Sequence, residues 1–205
     1  MIEYVIAGNP DDRVLKNASE VIKKGGLVCL PTDTSWVVIA DPFSKKGVEK
    51  IYRLKKVDRL KHFSLLCDTI SRASEVAVID DSVFRMIKRK IPGHFTFIFD
   101  ATKKITRAVQ ANKMDNQVGL RFVPSTLIEK LLEAHGDVVI STNLTNEMIS
   151  LGEDEDLYSY QIEEALSGQL EMIIDPDEHE FVGLSTIVDF TSGAPEVVRQ
   201  GVGTL

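Results

Sequence analysis

Short apolar runs alternate with amphipathic segments along the chain of 205 residues, and this alternation most constrains the fold. The first amphipathic segment carries Val14, Ala18 and Ile22 at helical spacing, and Lys-Lys-Gly-Gly follows it as a stop. The next apolar run, residues 27–30, has the length of a buried strand. Strands and helices mixed in this way predict an α/β (α+β) protein, and no linker-like stretch divides the single domain expected over residues 1–205.

The same patterns place the other elements. A helix is predicted around Val48, Ile51 and Tyr52, because these apolar residues share one helical face. Further helices are predicted at 71–76, 81–91, 127–132 and 157–166, and further strands at 63–67, 94–99, 118–123, 138–140, 172–174, 186–190 and 196–199.

The strand predicted at 27–31 opens directly into three hydroxyl-bearing residues and a carboxylate, residues 32–35. Proline cannot donate to a sheet ladder, so Pro31 is expected to end the strand. Ligands collect at the carboxyl ends of strands in open α/β sheets, which favours a binding loop at this position. The alternative is a turn whose hydroxyls hydrogen-bond its own backbone.

The composition excludes several classes of protein. Hydrophobic residues form 43% of the chain and charged residues 27%, which is typical of a globular protein. No apolar run approaches the roughly 18 residues of a membrane span, and residues 1–12 lack the pattern of a signal peptide. A cytoplasmic protein is therefore expected, without a membrane partner. Cys29 and Cys67 lie in apolar runs without zinc-site spacing, which predicts reduced core thiols.

The net charge of -7 hides an uneven distribution. Residues 1–146 contain 23 Lys and Arg against 17 Asp and Glu, whereas residues 147–180 contain 12 acidic residues and no Lys or Arg. Residues 45–62 alone hold eight Lys and Arg, which form either a solvated helix face or an anion site. Arg121 and Arg199 lie within apolar strands, so each is expected to form an internal salt bridge or to face a cleft.

Several catalytic motifs are missing from the sequence: a phosphate loop, a dinucleotide-binding glycine motif, HExxH and GxSxG. The four histidines, His62, His94, His135 and His179, have no ligand spacing, and a structural or surface role is expected for each. Chemistry in this chain would depend on positioning and on stabilisation of charge by cations, as in phosphoryl and nucleotidyl transfer. No protein metal site is predicted.

A series of short motifs, in order from about Gly25 to Gly203, makes the chain resemble the YrdC family. That family includes threonylcarbamoyl-adenylate synthases and the YciO branch, and the stretch 84–99 resembles the YciO branch more closely. Each motif is weak alone, but the set in this order is specific. The motifs are PTDT at 31–34, DPF at 41–43, a lysine-rich loop at 55–61, PG-x-x-T at 92–96, GxR at 119–121, SxN at 141–143, ST-x-VD at 185–189 and RxG at 199–201.

The resemblance implies a twisted mixed β-sheet with flanking helices and a concave, positively charged cleft. In the synthases this cleft takes ATP, bicarbonate and L-threonine, makes threonylcarbamoyl-adenylate and releases pyrophosphate. Mg²⁺ is expected with ATP and would be held mainly by the phosphates. The product is passed to partner proteins that modify an adenosine of tRNA.

Carried over motif by motif, the resemblance implies two groups of binding residues. Threonine contacts are expected from Thr32, Thr34, Arg121 and Ser185, with the Arg121 guanidinium as a carboxylate clamp. Lys55 and Arg59 are the expected catalytic residues. Nucleotide contacts are expected from Lys55, Arg59, Lys61, Ser141, Asn143 and Arg199.

Two departures from the family pattern leave the function open. The synthases show KxR in the basic loop, whereas Val57 stands at the arginine position here, and Arg59 can replace it only if the loop shifts. Trp36-Val37-Val38-Ile39 stands where the family has tyrosine and then glycine-containing sequence, which is expected to narrow a pocket floored by backbone. The chain is expected to be a synthase, as the intact SxN favours, or a non-catalytic YciO-type binder of nucleotide, tRNA or double-stranded RNA, as Val57 favours.

Overall fold

Ten strands of the described residues form one mixed β-sheet at the centre of the molecule. The computed structural model describes residues 1–55, 63–105, 116–152 and 155–205. The strands are β1 (Ile2–Tyr4), β2 (Val28–Pro31), β3 (Trp36–Ala40), β4 (Ser64–Leu66), β5 (Phe95–Asp100), β6 (Gln117–Arg121), β7 (Val139–Asn143), β8 (Met172–Asp175), β9 (Thr186–Asp189) and β10 (Glu196–Arg199).

The order of the strands brings distant parts of the chain together. It runs β1-β8-β2-β3-β7-β4-β6-β5-β9-β10 across the sheet. β8 is parallel to both β1 and β2, and the pairs β4–β6 and β5–β9 are also parallel. The remaining neighbours are antiparallel. Strands β6, β5, β9 and β10, which carry or adjoin several predicted site residues, therefore lie side by side.

The helices flank the sheet, and local capping signals set their ends. Asp11 accepts a hydrogen bond from the Arg13 amide at 2.7 Å at the start of the first helix. Ser125 caps the fifth helix by accepting from the Ile128 amide, and Gly136 ends that helix with a φ of 86°. The helices are α1 (Asp12–Lys23), α2 (Lys45–Lys55), α3 (Ile70–Val76), α4 (Asp81–Ile87), α5 (Thr126–His135) and α6 (Ser159–Ala165), with a 3₁₀ helix at Asn146–Ile149.

Apolar side chains pack on both faces of the sheet. On one face, Val28 and Leu30 of β2 join a cluster with Leu15 of α1 and Leu131 of α5. On the other face, Cys29 joins a second cluster that includes the apolar side of α2. Because alternate residues of β2 face opposite layers, the whole strand is buried.

The predicted α/β class, with a mixed sheet and flanking helices in a single domain, is confirmed. The sequence patterns miss β1 and also β3, which is fully buried and forms a hairpin with β2. A strand buried on both faces has no polar side, so it lacks the alternation that marks strands in a sequence. The sequence patterns also predict a helix over residues 81–91, whereas in the structure this helix, α4, ends at Ile87.

One predicted strand boundary is wrong. Ser141, Thr142 and Asn143 lie within β7 and pair with β3, whereas the sequence places them beyond the end of the strand. The hydrogen bonds between strands join backbone groups. A polar side chain therefore does not end a strand if it has a hydrogen-bond partner of its own. The Ser141 hydroxyl donates to the backbone oxygen of Ser64 on the neighbouring β4 at 3.0 Å.

The cysteine prediction is confirmed, since Cys29 and Cys67 are free and buried. Burial raises the pKa of both thiols, and that of Cys67 rises to about 12. No helix within the described residues has the length and apolar character needed to cross a membrane.

Candidate functional site

The turn that joins β2 to β3 consists of residues 32–35, because Pro31 pairs with Trp36 across the hairpin. The Thr32 hydroxyl donates to the Ser35 carbonyl at 2.9 Å and accepts from the amide of Thr34 at 3.2 Å. The structure therefore supports the turn interpretation for Thr32, whose hydroxyl stabilises its own loop. The other polar side chains of the turn have different partners.

Asp33 connects this turn to two distant segments of the chain. Its Oδ1 accepts from Nη2 of Arg121 at 2.6 Å, and its Oδ2 lies 2.7 Å from Nδ1 of His94. Nη1 of Arg121 also donates to the Thr34 hydroxyl at 3.1 Å. The side chains of Arg121 and Asp33 are only 6% and 5% exposed, so their ion pair is buried. The internal salt bridge that the sequence left open for Arg121 is therefore present.

The Arg121 guanidinium retains binding capacity beside this ion pair. Two of its five N–H groups make the contacts to Asp33 and Thr34, and Nε is buried without a hydrogen-bond partner among the described residues. Burial lowers the pKa of Arg121, the charge of Asp33 opposes that change, and the nearby charge of Arg199 adds to it. The role of Arg121 as a carboxylate clamp stays a prediction.

A second group of polar contacts lies around Ser185, immediately before β9. Its hydroxyl shares a hydrogen bond of 2.9 Å with the Thr96 hydroxyl of β5. Arg199 donates to the Ser185 carbonyl at 2.8 Å and to the Ser185 hydroxyl at 3.2 Å through Nη2. In the part of the chain that the structure describes, no carboxylate forms an ion pair with Arg199. Its positive charge is therefore not offset by a direct partner there.

Two guanidiniums and one carboxylate thus lie near one another at these segments. Arg121 and Arg199 are close enough for each charge to affect the other, and Asp33 contacts Arg121. These three groups carry two positive charges and one negative charge, so together they have a net charge of about +1, which favours the binding of anions. A cavity of about 330 Å³ adjoins the site and is lined in part by Thr32, Asp33 and His94, and also by the carboxylates Glu178 and Glu180.

The structure describes Lys55, Ser141, Asn143 and Arg199 among the predicted nucleotide residues, and their role in nucleotide binding stays a prediction. Nζ of Lys55 donates to the backbone oxygen of Asn143 at 2.8 Å, which ties the end of α2 to the end of β7. The Ser141 side chain is buried within the sheet. Arg59, Lys61 and Val57 lie outside the described residues, so the catalytic role of the basic loop stays a prediction.

Sequence reasoning did not find two contacts that connect segments of the site. His94 was expected to have a structural or surface role, and the structure shows that it contacts Asp33, 61 residues away in sequence. Thr96 was placed in a strand without a role, but it contacts Ser185. Both follow the Pro92-Gly93 step at the entrance of β5, and that motif was the signal that could have pointed to them. Among the described residues, no group of three His, Cys, Asp or Glu side chains could hold a metal ion.

Comparisons with known proteins agree with this architecture. The Sua5/YciO/YrdC family, described under the heading of telomere recombination, matches residues 20–201. The chain belongs to this family. It is 31% identical over 202 residues to the uncharacterized protein YciO of Escherichia coli, with 98% of this chain and 95% of YciO covered. The crystal structure of E. coli YciO superposes with a TM-score of 0.86 at 29% identity, covering 100% of this chain and 97% of YciO.

The synthases of the family are more distant relatives. A putative threonylcarbamoyl-AMP synthase of Methanocaldococcus jannaschii is 22% identical over 190 residues, which cover 93% of this chain and 86% of the synthase. The crystal structure of P. abyssi Sua5 complexed with L-threonine has a TM-score of 0.82 at 21% identity, covering 98% of this chain and 57% of Sua5. The likeness to Sua5 shows that the two chains share a fold. The family assignment nearer to YciO than to the synthases is confirmed.

Proposed function

We propose that the chain is an L-threonylcarbamoyladenylate synthase that uses ATP, bicarbonate and L-threonine and supplies tRNA threonylcarbamoyladenosine modification. The observation that carries the proposal is the convergence of Arg121 and Arg199 with the hydroxyls of three separate motifs, which are those of Thr34, Thr96 and Ser185. The names of distant relatives, threonylcarbamoyl-AMP synthases, support the same reaction. The Sua5 structure complexed with L-threonine supports threonine as the amino acid.

Threonine recognition follows from the chemistry of the Arg121 group. A carboxylate can accept two parallel hydrogen bonds from a guanidinium, and three N–H groups of Arg121 are not used by Asp33 or Thr34. Asp33 fixes the orientation of the guanidinium before the substrate arrives. The hydroxyls of Thr34 and Ser185 would then contact the polar groups of the amino acid.

The reaction needs positive charge beside the phosphates of ATP. Bicarbonate and the threonine amine form a carbamate with loss of water, and a carbamate oxygen attacks the α-phosphorus while the bond to the β-phosphate oxygen breaks and pyrophosphate leaves. Arg199 and Lys55 would stabilise the charge that develops on the phosphate oxygens. Bound Mg²⁺ supplies further charge neutralisation, and the phosphates rather than a protein cluster would hold it.

A second candidate is a non-catalytic binder of nucleotide, tRNA or double-stranded RNA. The observations that favour it are the valine at position 57 and the greater similarity to YciO than to the synthases. Such binding would use the basic stretch 45–62. It would weaken steeply with added salt, because binding releases the counterions of the phosphates and this release is less favourable at high salt.

Pyrophosphate release separates the two candidates. Purified protein is assayed with ATP, bicarbonate and Mg²⁺, with and without L-threonine, beside an active synthase as positive control. Threonine-dependent release supports the synthase, and Arg199→Gln is then expected to reduce it by roughly tenfold or more. Arg85→Gln is the matched control, because Arg85 donates to the Asp81 carbonyl on α4, outside the site. ATP or RNA binding without release would reject the synthase and support the binder.

A further inference from the structure

The ion pair of Arg121 and Asp33 is held by a single hydrogen bond. Nη2 of Arg121 donates to Oδ1 of Asp33 at 2.6 Å, and the structure shows no second bond between these two described side chains. Nε of Arg121 is buried and has no hydrogen-bond partner among the described residues. Pairs of arginine with a carboxylate are frequently bidentate, with two parallel N–H···O bonds. The second bond of such a pair is missing here.

His94 accounts for the missing bond. Oδ2 of Asp33, the oxygen that a bidentate pair needs, lies 2.7 Å from Nδ1 of His94. An ionised carboxylate only accepts hydrogen bonds, so Nδ1 carries the proton and donates it to this bond. The carboxylate of Asp33 is therefore shared between two donors, with Arg121 on one oxygen and His94 on the other.

The sheet holds His94 next to the other groups of the site. His94 immediately precedes β5, and its backbone oxygen accepts from the amide of Thr186 on β9 at 3.0 Å. Phe95 packs in the apolar core, so His94 and Thr96 lie on the opposite face. On that face Thr96 contacts the hydroxyl of Ser185. The family motifs assign no role to His94.

We propose that His94 is a positioning residue for threonine, because it holds Oδ2 of Asp33 and so prevents Asp33 from pairing with Arg121 in a bidentate manner. Asp33 is in effect an internal competitor of the substrate carboxylate. With Asp33 held by His94, Nη1 and Nη2 of Arg121 each keep one N–H beyond their bonds to Thr34 and Asp33. This inference rests on the proposed function, since it concerns the binding of threonine.

A purely structural role for His94 predicts a different pattern. If His94 only stabilised the fold, its loss would lower the melting temperature and leave the threonine affinity of the folded protein unchanged. If His94 holds Asp33, its loss lets Oδ2 of Asp33 bond to Arg121 instead. The melting temperature should then change little, while the affinity for threonine falls.

The test titrates L-threonine into the full chain by calorimetry, with and without α,β-methylene-ATP, whose α–β link is not cleaved. His94→Leu removes the donor, and we expect the dissociation constant to rise roughly tenfold or more. His94→Asn places an amide N–H near the position of Nδ1 and should restore most of the affinity. Ser82→Ala is the matched control and should bind as the parent does, because it removes a donor to Asp80, at the start of α4 and outside the site.

The Nε–H signal of Arg121 in NMR spectra reports on the ion pair without threonine. In His94→Leu this signal should move downfield, because Oδ2 of Asp33 becomes free to accept from Nε. In His94→Asn it should stay close to its position in the parent. If His94→Leu does not fold, His94→Ala also lacks a donor and replaces it in both measurements.

The outcomes separate this inference from the proposed function. Parent-like threonine affinity in His94→Leu, or an unchanged Nε–H signal, would overturn the role of His94 and leave the synthase standing. Recovery of affinity by His94→Gln but not by His94→Asn would also overturn it, because the glutamine amide reaches the position of Nε2 rather than that of Nδ1. No threonine binding by the parent would instead reject the threonine site of the proposed function, and the role of His94 with it.

Discussion

Replacing Asp33 by Asn should destabilise the fold strongly, because it leaves the Arg121 guanidinium buried without its counter-charge. The two side chains are 5% and 6% exposed and are joined by a bond of 2.6 Å. Removing one partner of a buried ion pair costs about 3–5 kcal/mol. For a chain of this length, that corresponds to a fall in melting temperature of roughly 6–20 °C.

The assay is denaturant unfolding followed by fluorescence of Trp36, the single tryptophan of the chain, which is buried at 1% exposure. Glu20→Gln is the matched control. It breaks the Lys24–Glu20 pair of 3.1 Å, whose side chains are 76% and 67% exposed, and it should cost less than about 1 kcal/mol. A loss below about 1 kcal/mol for Asp33→Asn would refute the reasoning, because the pair would then behave as a surface pair.

The double variant Asp33→Asn with Arg121→Met separates the pair from its surroundings. Replacing both charges removes the unpaired guanidinium, so the double variant should be less destabilised than the sum of the two single variants. Additive losses would show that Asp33 and Arg121 contribute independently.

Three further predictions concern other buried groups. Burial lowers the pKa of His135 below its ordinary value of 6.5. As the pH decreases from about 7, this histidine is therefore protonated in the unfolded chain before it is protonated in the folded chain, and the free energy of unfolding should fall. His135→Gln should make the free energy of unfolding less dependent on pH in this range. Cys29 and Cys67 should resist iodoacetamide in the native protein and react after unfolding, because burial raises their pKa. Thr96→Val removes a partner of Ser185 and should cost about 1 kcal/mol in denaturant unfolding.

Local signals explain why much of the fold could be predicted from the sequence. The acidic start and Lys-Lys-Gly-Gly stop of α1 and the proline at the end of β2 act within a few residues, so the chain displays them directly. Polar residues proved a poor guide to strand ends, as Ser141 shows within β7. The fully buried β3 had no periodic signal of its own and is recognised only through its pairing with β2 and β7.

The contacts of the site depend on residues far apart in sequence. Asp33 and Arg121 are 88 residues apart, and Thr96 and Ser185 are 89 apart. An arginine in an apolar strand indicates that some partner exists, but the choice among the acidic residues of the chain is made by the order of strands in the sheet. The motifs located the segments of the site, whereas the partners of each side chain required the structure.

The two arginines of the site differ in how their charges are balanced. Arg121 is balanced by Asp33, while Arg199 contacts only neutral acceptors among the described residues. General attraction of anions therefore falls chiefly to Arg199, and Arg121 is better suited to orient a carboxylate than to attract one. Asp33→Asn removes one negative charge, which raises the net charge of the site by one, and it removes the partner that orients the Arg121 guanidinium. If it strengthens ATP binding at low salt but abolishes threonine dependence, charge and orientation are carried by different arginines; if both fall together, the two arginines act as one unit.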